Sequence, residues 1–187
     1  MSNAPHSLKY LALQRFKKNF WGVLSFYFII FVGLVSVFAY VIAPDNSQYA
    51  NQMHISIHSQ KPGFKIQMLT IPYQFQQQQS FVSKLFYGEK NTKTEIPITS
   101  HKVENGQLYY NEYAADGLIG VEKQLAIDNF PDNNYENYIK EKTFLFGTDK
   151  YGRDLLSRVL VGARISFFIG FVAVFISLVI GIFMGSI

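Results

Sequence analysis

The chain has 187 residues, a formal net charge of +4 and a mean hydropathy of +0.08, with aromatic residues at 17%. That length fits one domain or a small membrane module. The absence of cysteine excludes a disulfide framework and a lipoprotein attachment site. No basic face interleaved with aromatics occurs beyond the N-terminal arm, which argues against nucleic-acid binding despite a pI near 9.1.

Residues 7–19 predict a short amphipathic helix. Leu8, Leu11, Ala12, Phe16 and Phe20 recur at helical spacing, and Lys9, Lys17 and Lys18 fall elsewhere on its surface. Phe20–Ala43 follows without a single charge. At about 1.5 Å per residue it exceeds the roughly 30 Å core of a bilayer and predicts a transmembrane helix. It is also much longer than the apolar region of a cleaved signal peptide. Phe20, Trp21 and Tyr40 sit where interfacial aromatic belts form, and Pro44 stops the helix.

The net charge resides in Lys9, Arg15, Lys17 and Lys18, because the later basic and acidic residues cancel. The positive-inside rule then puts the N-terminus in the cytoplasm and the long middle segment outside.

Residues 44–145 predict a small β-rich or α+β extracytoplasmic insert. Met53–Ile57 and Phe64–Ile71 read as strands, the second ended by Pro72. Gln74 and Gln76–Gln79 read as a loop or helix start, and Phe81–Phe86 as a helical turn. Thr94–Ser100 and Lys102–Tyr110 form a hairpin around Glu104-Asn105-Gly106, and Asp128–Asn137 a loop. His54 and His58 would share a strand face, but no further ligand follows at metal spacing. Asp128, Asp132 and Glu136 lack an EF-hand pattern. Catalytic, cofactor and metal sites are therefore not expected.

Residues 146–164 predict an amphipathic helix on the outer surface, capped by Thr148 or Asp149. Asp149–Arg153 and Asp154–Arg158 are acid-first i,i+4 pairs. Leu155, Leu156, Val159, Leu160 and Ala163 share its apolar face, Gly162 turns it into the second span, and Arg164 snorkels to the headgroups. Residues 165–187 form that span. Ala173, Ser177, Gly181 and Gly185 recur every fourth residue, a row that admits another helix closely. The fold class is thus membrane all-α, two transmembrane helices of a larger bundle, with the insert between them.

The run FGTDKYGRDLLSRVLVGARIS closely resembles the C-type permease subunit of dipeptide, oligopeptide and nickel ABC importers. That family typically reads L-G-T-D-x-x-G-R-D-x-x-S-R-x-x-x-G-A-R-x-S there. Gly147, Thr148, Asp149, Gly152, Arg153, Asp154, Ser157, Arg158, Gly162, Ala163, Arg164 and Ser166 match in register. The resemblance implies a non-enzymatic inner-membrane permease subunit that lines part of a translocation pathway. The implied partners are a second permease, cytoplasmic ATPase subunits and an extracytoplasmic solute-binding protein, with peptides or related solutes as cargo. A phosphate-binding GxxxxGK[ST] loop is absent from the sequence, in keeping with hydrolysis on a partner. The motif covers about a quarter of the chain. The long insert departs from most members, and the stop at Ile187 reads as the N-terminal part of a permease, a fragment or a truncated product. The alternative is a two-span structural or assembly protein, such as a polysaccharide chain-length regulator, but the insert lacks the long helical periodicity of that class.

Overall fold

The computed structural model describes residues 8–72, 79–90, 93–115, 118–131 and 134–186. The arm forms α1 (Leu8–Lys18), and the first apolar run forms α2 (Phe20–Val37) and α3 (Ala39–Ile42). Asn19 separates α1 from α2 because its extended backbone breaks the helix and its side chain caps the new one, accepting from Gly22 N at 3.2 Å. A kink at Phe38 (ψ 13°) divides α2 from α3. Ala43 is extended (ψ 131°), as a residue before proline prefers, so Pro44 ends the helix as expected.

The insert folds around a five-stranded antiparallel sheet, β1 (Phe64–Pro72), β2 (Lys93–Glu104), β3 (Gln107–Tyr113), β4 (Ile119–Ala126) and β5 (Ile139–Phe144), in the order β4-β3-β2-β1-β5. A short helix, α4 (Phe81–Tyr87), lies between β1 and β2 in sequence. The β2–β3 hairpin turns through Asn105 (φ 52°) and Gly106 (φ 75°), the two positive values that a tight primed turn requires. The expected loop at 128–137 is bounded by short 3-10 turns at Ile127–Asn129 and Glu136–Tyr138. The Gln run at 74 and 76–78, Asp132, the first residue of the arm and Ile187 lie outside the described residues.

Each sheet face has its own core. One joins Leu69, Ile98, Leu108, Tyr110 and Phe130. The other joins Ile66, Met68 and Phe144 to Ile57, which is fully buried and comes from the segment before β1. That segment was expected to hold a strand at Met53–Ile57; it holds a 3-10 turn at Ile55–Ile57. Its neighbours bond to the 147–152 segment instead of to a strand, so the alternation of apolar residues carries no sheet meaning here. His54 is buried while His58 is exposed, so the two do not share a face.

The last helix, α5 (Leu155–Gly185), runs unbroken for 31 residues. This corrects the expected outer helix at 146–164 with a turn at Gly162. Residues 147–154 are not helical, because Gly147 (φ 76°) and Gly152 (φ 71°) take left-handed conformations. Gly162 lies inside a continuous helix. At about 1.5 Å per residue, 31 residues exceed the bilayer core by roughly ten. The helical part of the expected surface segment is therefore the first turns of α5. α2 and α5 are both long and apolar enough to cross a membrane. They pack on each other, with the Phe167 ring against Gly33; a Cβ there would sit 3.1 Å from the ring.

Candidate functional site

The motif at 147–158 closes a buried clasp onto the segment that follows the first span. Gly147 and Gly152 make the close approach possible. A Cβ on Gly147 would meet Gln60 O at 2.2 Å, and one on Gly152 would meet His54 O at 1.8 Å. Only a residue without Cβ fits, and both also need positive φ.

Six hydrogen bonds cross the gap. Thr148 N donates to Gln60 O (3.1 Å), and Gln60 N donates to Thr148 Oγ1 (2.8 Å), whose hydroxyl in turn donates to Ile57 O. Ser59 N donates to Asp149 O (2.9 Å), and His54 N to Tyr151 O (3.2 Å). Asp45 N donates to Ser157 Oγ (2.8 Å) on the first turn of α5.

The carboxylates organise the two sides. Asp149 Oδ1 accepts from the backbone N of Tyr151 (2.8 Å) and Arg153 (3.0 Å), which holds the turn. Its Oδ2 takes Arg153 Nε (2.8 Å) and Nη2 (2.7 Å). Arg153 also donates to Asn51 Oδ1 (3.0 Å), so this fork bridges the gap as well. Partial burial raises the Asp149 pKa, but the hydrogen bonds from Arg153 and from the Tyr151 backbone outweigh it and hold the carboxyl below its ordinary range. On the other side, the buried Asp45 accepts from Ser47 N (3.0 Å) and Gln52 N (3.2 Å).

The cap of α5 is Asp154, not Thr148 or Asp149. Its Oδ2 accepts from Ser157 N (2.8 Å) and from the Ser157 hydroxyl. Asp154 is thereby committed to the cap, and the expected Asp154–Arg158 pair is replaced by a long contact of Arg158 with Asp149 (3.5 Å). The Asp149–Arg153 pair does form, but within the turn. The side of α5 that faces the clasp carries Ser157, Val161 and Arg164, whereas Val159 and Ala163 of the expected apolar face are exposed.

Arg164 is the residue whose role differs most from its expected one. It is 7% exposed and does not snorkel. Its Nη1 donates to Val37 O and Leu85 O (both 2.9 Å) and more distantly to Ser36 O (3.5 Å), and its Nη2 to Phe86 O (3.2 Å). These are last-turn carbonyls of α2 and α4, where a cation complements the helix dipoles. The rings of Tyr40, Phe86 and Phe168 lie 5.2–5.6 Å from the guanidinium. Tyr40 is thus buried against Arg164 and packs with Ala50 and Val161.

A family model described as the N-terminal TM domain of oligopeptide transport permease C matches residues 7–62. The chain is similar to that domain over those residues. It is 60% identical over 42 residues to a di/tripeptide transport system permease protein DppC of Pseudomonas aeruginosa, covering 22% of this chain and 14% of that protein. It is 54% identical over 46 residues to an oligopeptide transport system permease protein OppC of Bacillus subtilis, covering 25% and 15%. A longer match, 33% identical over 92 residues, joins it to a dipeptide transport system permease protein DppC of Alkalihalophilus pseudofirmus, covering 43% and 30%. The chain therefore spans less than a third of the length of each of these relatives. No solved structure matches it. The family match and these relatives bear out the resemblance to the N-terminal part of a C-type permease read from the motif.

The matched permease C domain ends at residue 62, so it includes the whole near side of the clasp, residues 45–60. The expected insert at 44–145 includes those residues. The sheet instead starts at Phe64 and closes at Phe144, which pair with each other in the β1–β5 ladder. The sheet thus departs just after the matched region and rejoins the chain just before the motif, through one narrow neck. Of the motif residues, Gly162, Ala163 and Ser166 lie on exposed parts of α5, as do Ala173, Ser177, Gly181 and Gly185. Among the described residues, nothing lies within 4 Å of where a Cβ on Gly162, Gly181 or Gly185 would be. No group of three metal-ligating side chains occurs among the described residues. The partners Asp45, Asn51, Gln60 and Tyr40 could not be singled out from the sequence: each lies more than 80 positions from the motif residue it meets.

Proposed function

We propose that the chain is part of an inner-membrane permease subunit of an ABC importer for peptides or related small solutes. It assembles there with a second permease, cytoplasmic ATPase subunits and an extracytoplasmic binding protein. The N-terminal arm lies in the cytoplasm, α2 and α5 cross the membrane, and the sheet faces outward. The Ala173–Gly185 row of α5 receives another helix of the permease bundle. What carries this reading is the coincidence of two independent signals on one structure. The permease C domain contributes residues 45–60, and the GTDxxGRD motif contributes residues 147–158, and the two halves lock together.

The clasp suits transport by alternating access. Spans that rock between inward and outward states must move as rigid bodies. A buried set of backbone bonds and a shared arginine join the outer ends of the two spans, so neither can tilt without the other. The motif then has a positioning role, shaping the outer surface on which a binding protein would dock. The test is uptake in the source organism. Deleting the gene should abolish uptake of radiolabelled dipeptide while free amino acids still enter, and restoring it should recover transport. Unchanged dipeptide uptake after deletion, measured over several peptide lengths, would refute the proposal.

A further inference from the structure

The short helix α4 is fastened to the outer ends of the two spans, although it belongs to the insert in sequence. Its last carbonyls, Leu85 O and Phe86 O, bind Arg164. Its C-terminal Gly88 (φ 76°) abuts the first span so closely that a Cβ there would lie 2.9 Å from the Tyr40 ring. Backbone bonds between Gln48 and Glu89 (3.1 Å) and between Glu89 and Asn46 (2.8 Å) complete the attachment.

Arg164 also marks a depth. From Ile165 to the end of α5 no charge occurs, and those 21 or so residues span about 32 Å, the thickness of a hydrocarbon core. The guanidinium therefore sits at the border of that core, and α4 sits at the same level. At 100° per residue, Phe81, Leu85, Val82 and Phe86 fall within an arc of about 140°. Phe81 is 69% exposed, Val82 60% and Phe86 47%. Lys84, on the other side, is engaged with Glu89 at 2.9 Å. Apolar side chains open to solvent, at membrane depth and next to two apolar spans, form one surface continuous with the lipid-facing helices.

We infer that α4 is an interfacial anchor, with Phe81, Val82 and Phe86 seated in the leaflet on the insert's side of the bilayer. The sheet would then be held against the membrane at a second point besides its neck, which fixes its tilt. An amphipathic segment of this kind gains from burying its apolar face at the headgroup–acyl boundary. The inference rests on the reading of α2 and α5 as membrane spans.

The chain contains no cysteine, so single labels can be placed cleanly. Val82→Cys, Phe81→Cys, Lys84→Cys and Val174→Cys would each be labelled with a fluorophore. The full chain would be reconstituted in phosphatidylethanolamine–phosphatidylglycerol vesicles. Quenching by lipids spin-labelled near the headgroup would be compared with quenching by aqueous iodide. Labels at 82 and 81 should lose most of their emission to the spin-labelled lipid and little to iodide, with the reverse at 84. Two positions on the apolar arc guard against one variant misfolding. If 82 and 81 are open to iodide like 84, the face is aqueous and the anchor is refuted. If they are shielded from both quenchers, protein covers the face and the anchor is equally refuted. The label at 174, in the middle of α5, must be quenched by deeply spin-labelled lipid; its failure would overturn the span reading itself.

Discussion

Thr148 offers the cleanest measurement of the clasp. Its hydroxyl accepts from Gln60 N at 2.8 Å and donates to Ile57 O, and the residue is 4% exposed. Thr148→Val keeps the shape and removes both bonds, which leaves one amide and one carbonyl without their partner. Each such group costs about 1–3 kcal/mol when buried, so the clasp should lose about 2–6 kcal/mol. Thr148→Ser keeps the hydroxyl and loses one methyl, worth about 1 kcal/mol. The assay is hydrogen exchange in detergent, read at His54 and Ser59. Their amides bond to Tyr151 O and Asp149 O across the gap and are untouched by either substitution. Exchange there should speed by about 30-fold or more in the valine variant and by about fivefold in the serine variant. Equal exchange in Thr148→Val and the parent chain would refute the view that the clasp opens as one unit.

Four further outcomes follow from the structure. Arg164→Met should free α4, because carbonyls at Val37, Leu85 and Phe86 lose a charged donor; a loss of about 3 kcal/mol would raise exchange at Gly88 N about 100-fold, with Arg164→Lys between the two. Gly152→Ala should destabilise the clasp by at least about 1–2 kcal/mol from its left-handed backbone alone, before the collision with His54 O is counted. Gly162→Ala, in open space within α5, should instead stabilise the purified chain by about 1 kcal/mol, so thermal unfolding of the two variants should move in opposite directions. Burial raises the Glu95 pKa, but Lys142 and Lys93 outweigh it and pull the group from 4.5 to about 2. A carboxyl lowered on folding contributes stability that is full above pH 4.5 and is lost as pH falls toward 2. That loss is about 3 kcal/mol, and the acid limb of the insert's stability should flatten in Glu95→Gln when followed by circular dichroism.

Local signals were legible where the residue itself dictates the backbone. Asn105-Gly106 marks a hairpin because few other pairs accept two positive φ values, and Pro44 ends a helix because the preceding residue must extend. The uncharged runs marked two helices long and apolar enough to cross a membrane, and the motif carried the resemblance to the permease family. The errors have one source. Met53–Ile57 alternates like a strand, and residues 149–158 carry i,i+4 charge pairs like a helix, yet neither pattern decides the structure. The propensities at stake are worth tenths of a kcal/mol per pair, whereas each long-range bond of the clasp leaves a buried group unsatisfied if it is not made.

The sequence by itself determined that this chain holds two stretches long and apolar enough to cross a membrane, where its charge lies, and which motif it carries. It could not say what the motif does, because the meaning of Gly147, Gly152 and Thr148 lies in backbone atoms of residues 54–60. Tertiary structure brings those segments within hydrogen-bonding distance, and it turns Arg164 from a surface charge into the cap of two helices. A charge at a membrane border can reach water or carbonyls. Only the fold, by placing the open ends of α2 and α4 around Arg164, selects the carbonyls.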